Sequence, residues 1–254
     1  MHRTIIPRLP ADAPGGWTLR HPAKFGTVTI RARGDGTRSY EQKGGNQSAV
    51  DAHGVSLDIY IHALYGLALQ RAGRKVLIIG CAGGTLATML ARAGRDVTVV
   101  DIDPVAFKLA KLYFQLPKDM ACHVSDGLRF MQKSKARFDM VIVDAFIGET
   151  IPKQFTGDAF YDAARRCVKR DGLMLVNVCL HDRKDRLADT IAQGFIARDW
   201  GVKLLDEPGS ARNAIVVAGL VTGLRKPSVS AAPSVGAAKV YKGVKAMKFR
   251  KLHT

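Results

Sequence analysis

The chain has no stretch of about 18 apolar residues, the length a helical membrane span needs, anywhere in its 254 residues. No membrane partner is therefore expected. Met1–Pro7 carries no apolar core of the kind a secretory leader uses, so none is expected. Cysteine is scarce and scattered, at Cys81, Cys122, Cys167 and Cys179, with no CxxC pair. That spacing argues against a zinc site or a redox dithiol and fits reduced thiols in a cytoplasmic setting. His53, His62, His123 and His181 show no metal-ligand spacing, so no metal is expected. The GxGxxG spacing of a dinucleotide fold is absent, as is an Asn-Pro-Pro-aromatic signature for amino-group methylation of nucleic acid.

Acid is missing where base is richest. Residues 225–254 hold eight Lys and Arg and no Asp or Glu. Thirteen of the seventeen units of net charge lie outside 51–224. The excess belongs to the ends, and the basic end would attract an anionic partner.

What the middle does contain is alternation. Thr27–Arg31 alternates at period two and is followed by the turn signal Gly34-Asp35-Gly36, with Arg38–Gln42 as the return strand. Leu57 to Arg71 has apolar residues at helical spacing. Short apolar runs then alternate with helices of about ten residues: strands at 75–80, 96–101, 122–124, 138–144, 173–178, 202–205 and 214–218. Continuous apolar strands are those covered on both faces. The pattern predicts an α/β fold, a doubly wound, mostly parallel seven-stranded sheet of Rossmann type with a small N-terminal β-structure. Three regions follow: a β-rich segment over 1–50, a Rossmann-like α/β domain over 51–224, and a flexible basic tail over 225–254 behind the linker-like Pro227, Ser228, Ser230, Pro233 and Ser234.

Ligands of open parallel sheets bind at the carboxyl ends of the strands. The residues there are Gly80–Gly84, Asp101-Ile102-Asp103, Ser125-Asp126-Gly127 and Asp144-Ala145-Phe146. A glycine loop lets a ligand approach backbone and the next helix N-terminus. An acid 21 residues beyond Gly80, Asp101, is placed to accept from both ribose hydroxyls. Asp126 is placed to accept from an adenine amino group, or to cap the next helix; Asp103, before Pro104, reads as a cap. Asp144 ends the most apolar strand, where a carboxylate is costly unless it meets a partner or substrate.

Val76–Gly84, Val99–Pro104, Val124–Gly127 and Val141–Ala145, in that order, resemble the spermidine synthase-like (polyamine aminopropyltransferase-like) proteins, which have the class I S-adenosylmethionine-dependent methyltransferase fold. The resemblance covers roughly residues 40–180 and implies a transferase. The implied cofactor is S-adenosylmethionine or its decarboxylated form. Gln47, Gly80, Ala82, Gly83, Asp101, Ile102, Asp126 and Gly127 would hold it. Asp144 would assist deprotonation of the attacking amine, and Tyr60 would line the amine channel. The implied acceptor is a small molecule, polyamines included, and a homodimer is among the implied assemblies.

The departures bear on which group moves. The family's GGGDGG loop has an acid that holds the aminopropyl ammonium; here Gly80-Cys81-Ala82-Gly83-Gly84-Thr85 has none. Ile61 and His62 follow Tyr60 where the family has His or Gln and then Glu, and Ile147 stands in place of a second Asp. An acid-free loop suits a cofactor that keeps its carboxylate. Methyl transfer is thereby modestly favoured over aminopropyl transfer. A nucleic-acid methyltransferase using the basic tail and a non-catalytic binding protein on the same scaffold are the alternatives.

Overall fold

The computed structural model describes residues 15–253. The opening heptad and the proline-punctuated lead-in through Pro14 lie outside the described residues. Four antiparallel strands come first, β1 (Trp17–Ala23), β2 (Gly26–Ala32), β3 (Arg38–Gln42) and β4 (Gly45–Val50), paired in that order. The Gly34–Gly36 turn is tied by Asp35, whose Oδ1 accepts from the Thr37 amide at 2.9 Å. This sheet is not a free-standing unit. Its inward residues Val28, Ile30 and Tyr40 share a cluster with Tyr113 and Phe114, at the end of α3 (Pro104–Tyr113).

The rest is the α/β body. α1 (Ile59–Leu69) leads to β5 (Lys75–Ile79), α2 (Thr85–Arg92), β6 (Asp96–Asp101), α3, β7 (Ala121–Val124), α4 (Gly127–Lys133) and β8 (Phe138–Val143). α5 (Asp158–Cys167), β9 (Val168–Leu180), α6 (Leu187–Ile196), β10 (Val202–Asp206) and β11 (Arg212–Gly219) follow. β9, β8, β5, β6 and β7 run parallel to one another. β11 and β10 are antiparallel additions beyond β9. Alternate residues of β5 enter opposite cores: Val76 and Ile78 face the helices α1 and α2, and Leu77 and Ile79 face α5 and α6. That two-sided burial explains the continuously apolar strands.

The carboxyl-terminal segment departs from expectation. Residues 225–253 are folded, with a helix α7 (Ala237–Ala246) and a strand β12 (Lys248–Arg250). β12 pairs antiparallel with β10 and makes the sheet eight-stranded. Val240, Val244 and Met247 are buried, a face that supplies what the composition hides. The irregular run before it is pinned. Gln70 exchanges hydrogen bonds with the Arg225 backbone, at 2.8 and 3.0 Å, and Asp51 accepts from the Ser234 amide and hydroxyl.

Arg250 locks the end of this strap. It donates to Asp206 at 2.6 Å and to both oxygens of Asp189 at 2.8 Å. Asp189 is 2% exposed. Burial pushes its carboxyl upward, yet the Arg250 hydrogen bonds prevail and hold it below the usual carboxylate range. Replacing Arg250 by Met strands a buried carboxylate and is expected to cost about 3 kcal/mol, read from urea unfolding. Because the Asp189 carboxyl is depressed, the stabilisation is present above the ordinary carboxylate range and lost as pH falls below it. The deficit of R250M should therefore narrow on acidification. A loss below about 0.5 kcal/mol, the ordinary surface range, would show that the strap does not belong to the cooperative fold.

Candidate active site

The central parallel strands open at their carboxyl ends onto one cavity of about 650 Å³. That size lies inside the ordinary range for small-molecule sites. Gly80 leaves β5 at φ +102°, its amide donating to the Val100 carbonyl at 2.8 Å. Asp144 leaves β8 beside it, its amide donating to the Ile79 carbonyl at 2.9 Å. Ala82 sits at φ +44°, an unusual conformation for a residue with a Cβ. Gly84 caps α2 at φ +64° and offers the helix no side-chain acceptor. Thr85, the first residue of that helix, lines the cavity, and its buried hydroxyl has no hydrogen-bond partner.

Asp101 ends β6 against this loop. Its two oxygens accept from the Cys81 and Asp103 amides, both at 2.8 Å. Burial raises its carboxyl above the usual value while those hydrogen bonds oppose the rise. Each oxygen keeps a lone pair for a further donor. Asp103 is a cap, accepting from Val105 of α3 and from the Lys24 amide of the N-terminal sheet. Asp126 also caps, accepting from Arg129 of helix α4, and its other oxygen accepts from Gln154 at 2.8 Å. It still lines the cavity, with Ile102 and Gly127. Cys81 is buried and its thiol is pushed well up by desolvation and by Asp101, so it is not an activated nucleophile.

A second polar group gathers around Tyr60. Asp144 Oδ1 accepts from Asn177 Nδ2 at 2.8 Å. Burial lifts the Asp144 carboxyl to about 6, against the Asn177 hydrogen bond and with help from Asp58. Asp58 precedes α1, holds the Ala49 amide at 2.9 Å, and is itself lifted to about 6 by burial. Glu207, beyond β10, is raised by burial as well. Burial and the nearby Asp144 and Asp58 drive the Tyr60 hydroxyl well above its ordinary value. Lys239 of α7 completes the wall.

The sequence-predicted residues therefore converge, Gln47 of β4, Gly80, Ala82, Asp101, Ile102, Asp126, Gly127, Asp144 and Tyr60 on one cavity. Gly83 is the exception. Its amide donates to Ser48, and a Cβ there would press on Ser48 and Phe114, so its smallness serves packing of the loop on β4 and α3. Ile147 stands in place of a second Asp, yet Asp58 and Glu207 join Asp144 on the wall. Asn177 did carry a signal, a polar residue inside the apolar run Leu173–Val178. Nothing local marks Glu207 or Lys239.

The spermine/spermidine synthase domain profile matches residues 58–184, half of the chain. The chain belongs to the spermine/spermidine synthase domain family. The proteins it is similar to have different names. It is 30% identical over 122 residues to an N-terminal histidine N-methyltransferase of Emericella nidulans, covering 46% of this chain and 22% of that protein. It is 32% identical over 143 residues to a probable polyamine aminopropyl transferase of Bifidobacterium longum, covering 54% and 32%. The matched stretch is thus under a third of either relative. In fold it is similar to a probable spermidine synthase from Corynebacterium glutamicum, with TM-score 0.75 at 18% identity over 92% of this chain and 91% of that one. Human methyltransferase-like protein 13 in complex with SAH aligns with TM-score 0.55 at 18% identity, over 74% and 91%. The family's mostly parallel sheet and small N-terminal antiparallel sheet are both present here.

Proposed function

We propose that this chain is a transferase that binds S-adenosylmethionine and methylates an amine. One observation carries the choice of cofactor: the amino end of α2 opens into the cavity uncapped, with the unpartnered Thr85 hydroxyl beside it and no acid in the loop 80–84. Helix amides without a side-chain cap and a free hydroxyl favour an anion, and the carboxylate is the group that the decarboxylated cofactor lacks. Asp101, with a lone pair left on each oxygen, fits a ribose diol.

When bound, S-adenosylmethionine supplies an electrophilic methyl carbon whose bond to sulfur is exchanged for a bond to the acceptor nitrogen. The residues of the chain do the rest. Asp58, Asp144 and Glu207 hold the acceptor ammonium by charge-assisted hydrogen bonds. Asp144, fixed through Oδ1 by Asn177, keeps Oδ2 for the proton the nitrogen gives up. Tyr60 stays protonated, and its hydroxyl oxygen accepts from an acceptor N–H, which orients the nitrogen and leaves its lone pair free. The buried walls exclude water and sharpen these interactions. Relatives named as methyltransferases and as aminopropyl transferases both occur, so either transfer is compatible with the family.

Calorimetry tests the choice. S-adenosylmethionine should bind at least about tenfold more tightly than the decarboxylated form, a difference of about 1.4 kcal/mol. Thr85→Val should narrow that gap by weakening only the carboxylate-bearing ligand. Tighter binding of the decarboxylated form would overturn the methyl reading in favour of aminopropyl transfer. The three carboxylates around Tyr60 are the observation that favours that second reading.

A further inference from the structure

The acidic chamber has one cation built into it. Among the described residues only Lys24 and Lys239 line the cavity as cations, and neither forms an ion pair within 4.0 Å. Lys24 sits by the ribose end, where its amide donates to Asp103. Lys239 sits at the other end, and helix geometry fixes it there. Gly243 of α7 packs so closely on Ile59 that a Cβ would come 2.3 Å from Ile59 Cδ1. Residues four apart lie on the same helix face, so Lys239 is one turn along from that contact, toward Asp58, which directly precedes α1. Its charge acts on Asp58, opposing the rise that burial causes. The strap cannot easily withdraw it, being tied by Gln70 to Arg225, by Asp51 to Ser234 and by Arg250 to Asp189 and Asp206.

We propose that Lys239 is the specificity-determining cation of the acceptor chamber, occupying the end where the far ammonium of a diamine would sit and so restricting the acceptor to one ammonium group. This rests on the amine-transfer reading of the site. A diamine brings two positive centres separated by an apolar chain. One of them meets Asp144 and the attacking position, and the other is driven toward Asp58 and meets Lys239. Lys239 is itself exposed, at the rim of the chamber, and like charges brought together there are the repulsive element that specificity uses. A monoamine of the same length brings no second charge to that end and escapes the repulsion.

The experiment compares butylamine with putrescine, using full-length protein and S-adenosylmethionine, in wild type, Lys239→Met and Lys239→Arg. The kcat/KM ratio of putrescine to butylamine should rise about tenfold or more in K239M and stay at the wild-type value in K239R. A ratio in K239M within about twofold of wild type would overturn the assignment. Should the cofactor bind but neither amine be methylated, the amine-transfer reading fails. The Lys239 assignment is then read from calorimetric binding of the two amines in the presence of methylthioadenosine, by the same ratio. Far-ultraviolet circular dichroism checks that each variant is folded, and the exposed backbone position of Lys239 makes both substitutions compatible with α7.

Discussion

Replacing Asp144 by Asn should lower kcat by about 10²–10⁴-fold, the range for loss of a positioned general base, while cofactor affinity changes little. Asn keeps the shape and can still accept from Asn177 Nδ2, which donates to Asp144 Oδ1 at 2.8 Å. What it loses is the oxygen that takes the proton. The pH profile is the sharper readout. Burial lifts Asp144 and Asp58 each to about 6, and the two interact. Wild-type kcat/KM should therefore rise through about pH 6 as this pair ionises, with apparent values that belong to the pair. Tyr60, driven far upward, contributes no limb in the accessible range.

Stability should move the opposite way. A carboxyl raised in the folded state contributes stability at low pH, and that contribution is lost as pH rises through its folded value. D144N cannot ionise, so it should match wild type near pH 4 and exceed it above about pH 6, by about 3 kcal/mol for a shift of this size. A variant less active and more stable at neutral pH is the signature of a site residue strained for its task. Wild-type turnover by D144N would dismiss Asp144 as the base.

The part of the cavity at the strand ends was legible because its residues stand where apolar strands stop. Gly80 and Asp144 directly follow β5 and β8, Asp101 ends β6, and the strand pattern places them at one sheet edge. The wall around Asp58, Glu207 and Lys239 was not, because it is assembled by distant approaches. Asp58 falls inside the helical pattern read from Leu57 to Arg71, with nothing to mark it. Glu207 sits in the connection between β10 and β11. Lys239 arrives on a segment whose prolines and serines read as a linker. What orders that segment are hydrogen bonds to Gln70 and Asp51, more than 150 residues away in sequence, and no local pattern reports such partners. The same packing alters the meaning of the net charge. Arg250, counted among the excess base, is spent on Asp189 and Asp206 inside the fold.

Gly80 offers the second large effect. Gly80→Ala should destabilise the protein by about 3–4 kcal/mol, at the upper end of single-substitution effects, and should also impair the site. Two costs add. The backbone is at φ +102°, outside the regions open to a residue with a Cβ. The added Cβ would lie 2.1 Å from the Asp144 carbonyl oxygen and 2.8 Å from its carbon. Those are backbone atoms, and both segments are clamped, by the Gly80 amide on Val100 and the Asp144 amide on Ile79. Neither can yield without breaking a ladder hydrogen bond between central strands, and the movement that relieves the clash carries Asp144 away from Asn177. Gly94→Ala is the control. Gly94 also has a positive φ, +78°, but a Cβ there meets nothing within 4 Å. It should cost about 1 kcal/mol, the conformational penalty alone. Urea midpoints for the two variants separate steric from conformational cost. Equal losses would mean that β5 and β8 are not held together as tightly as the Gly80–Asp144 contact requires, and the base would then sit on a looser edge than its proton transfer needs.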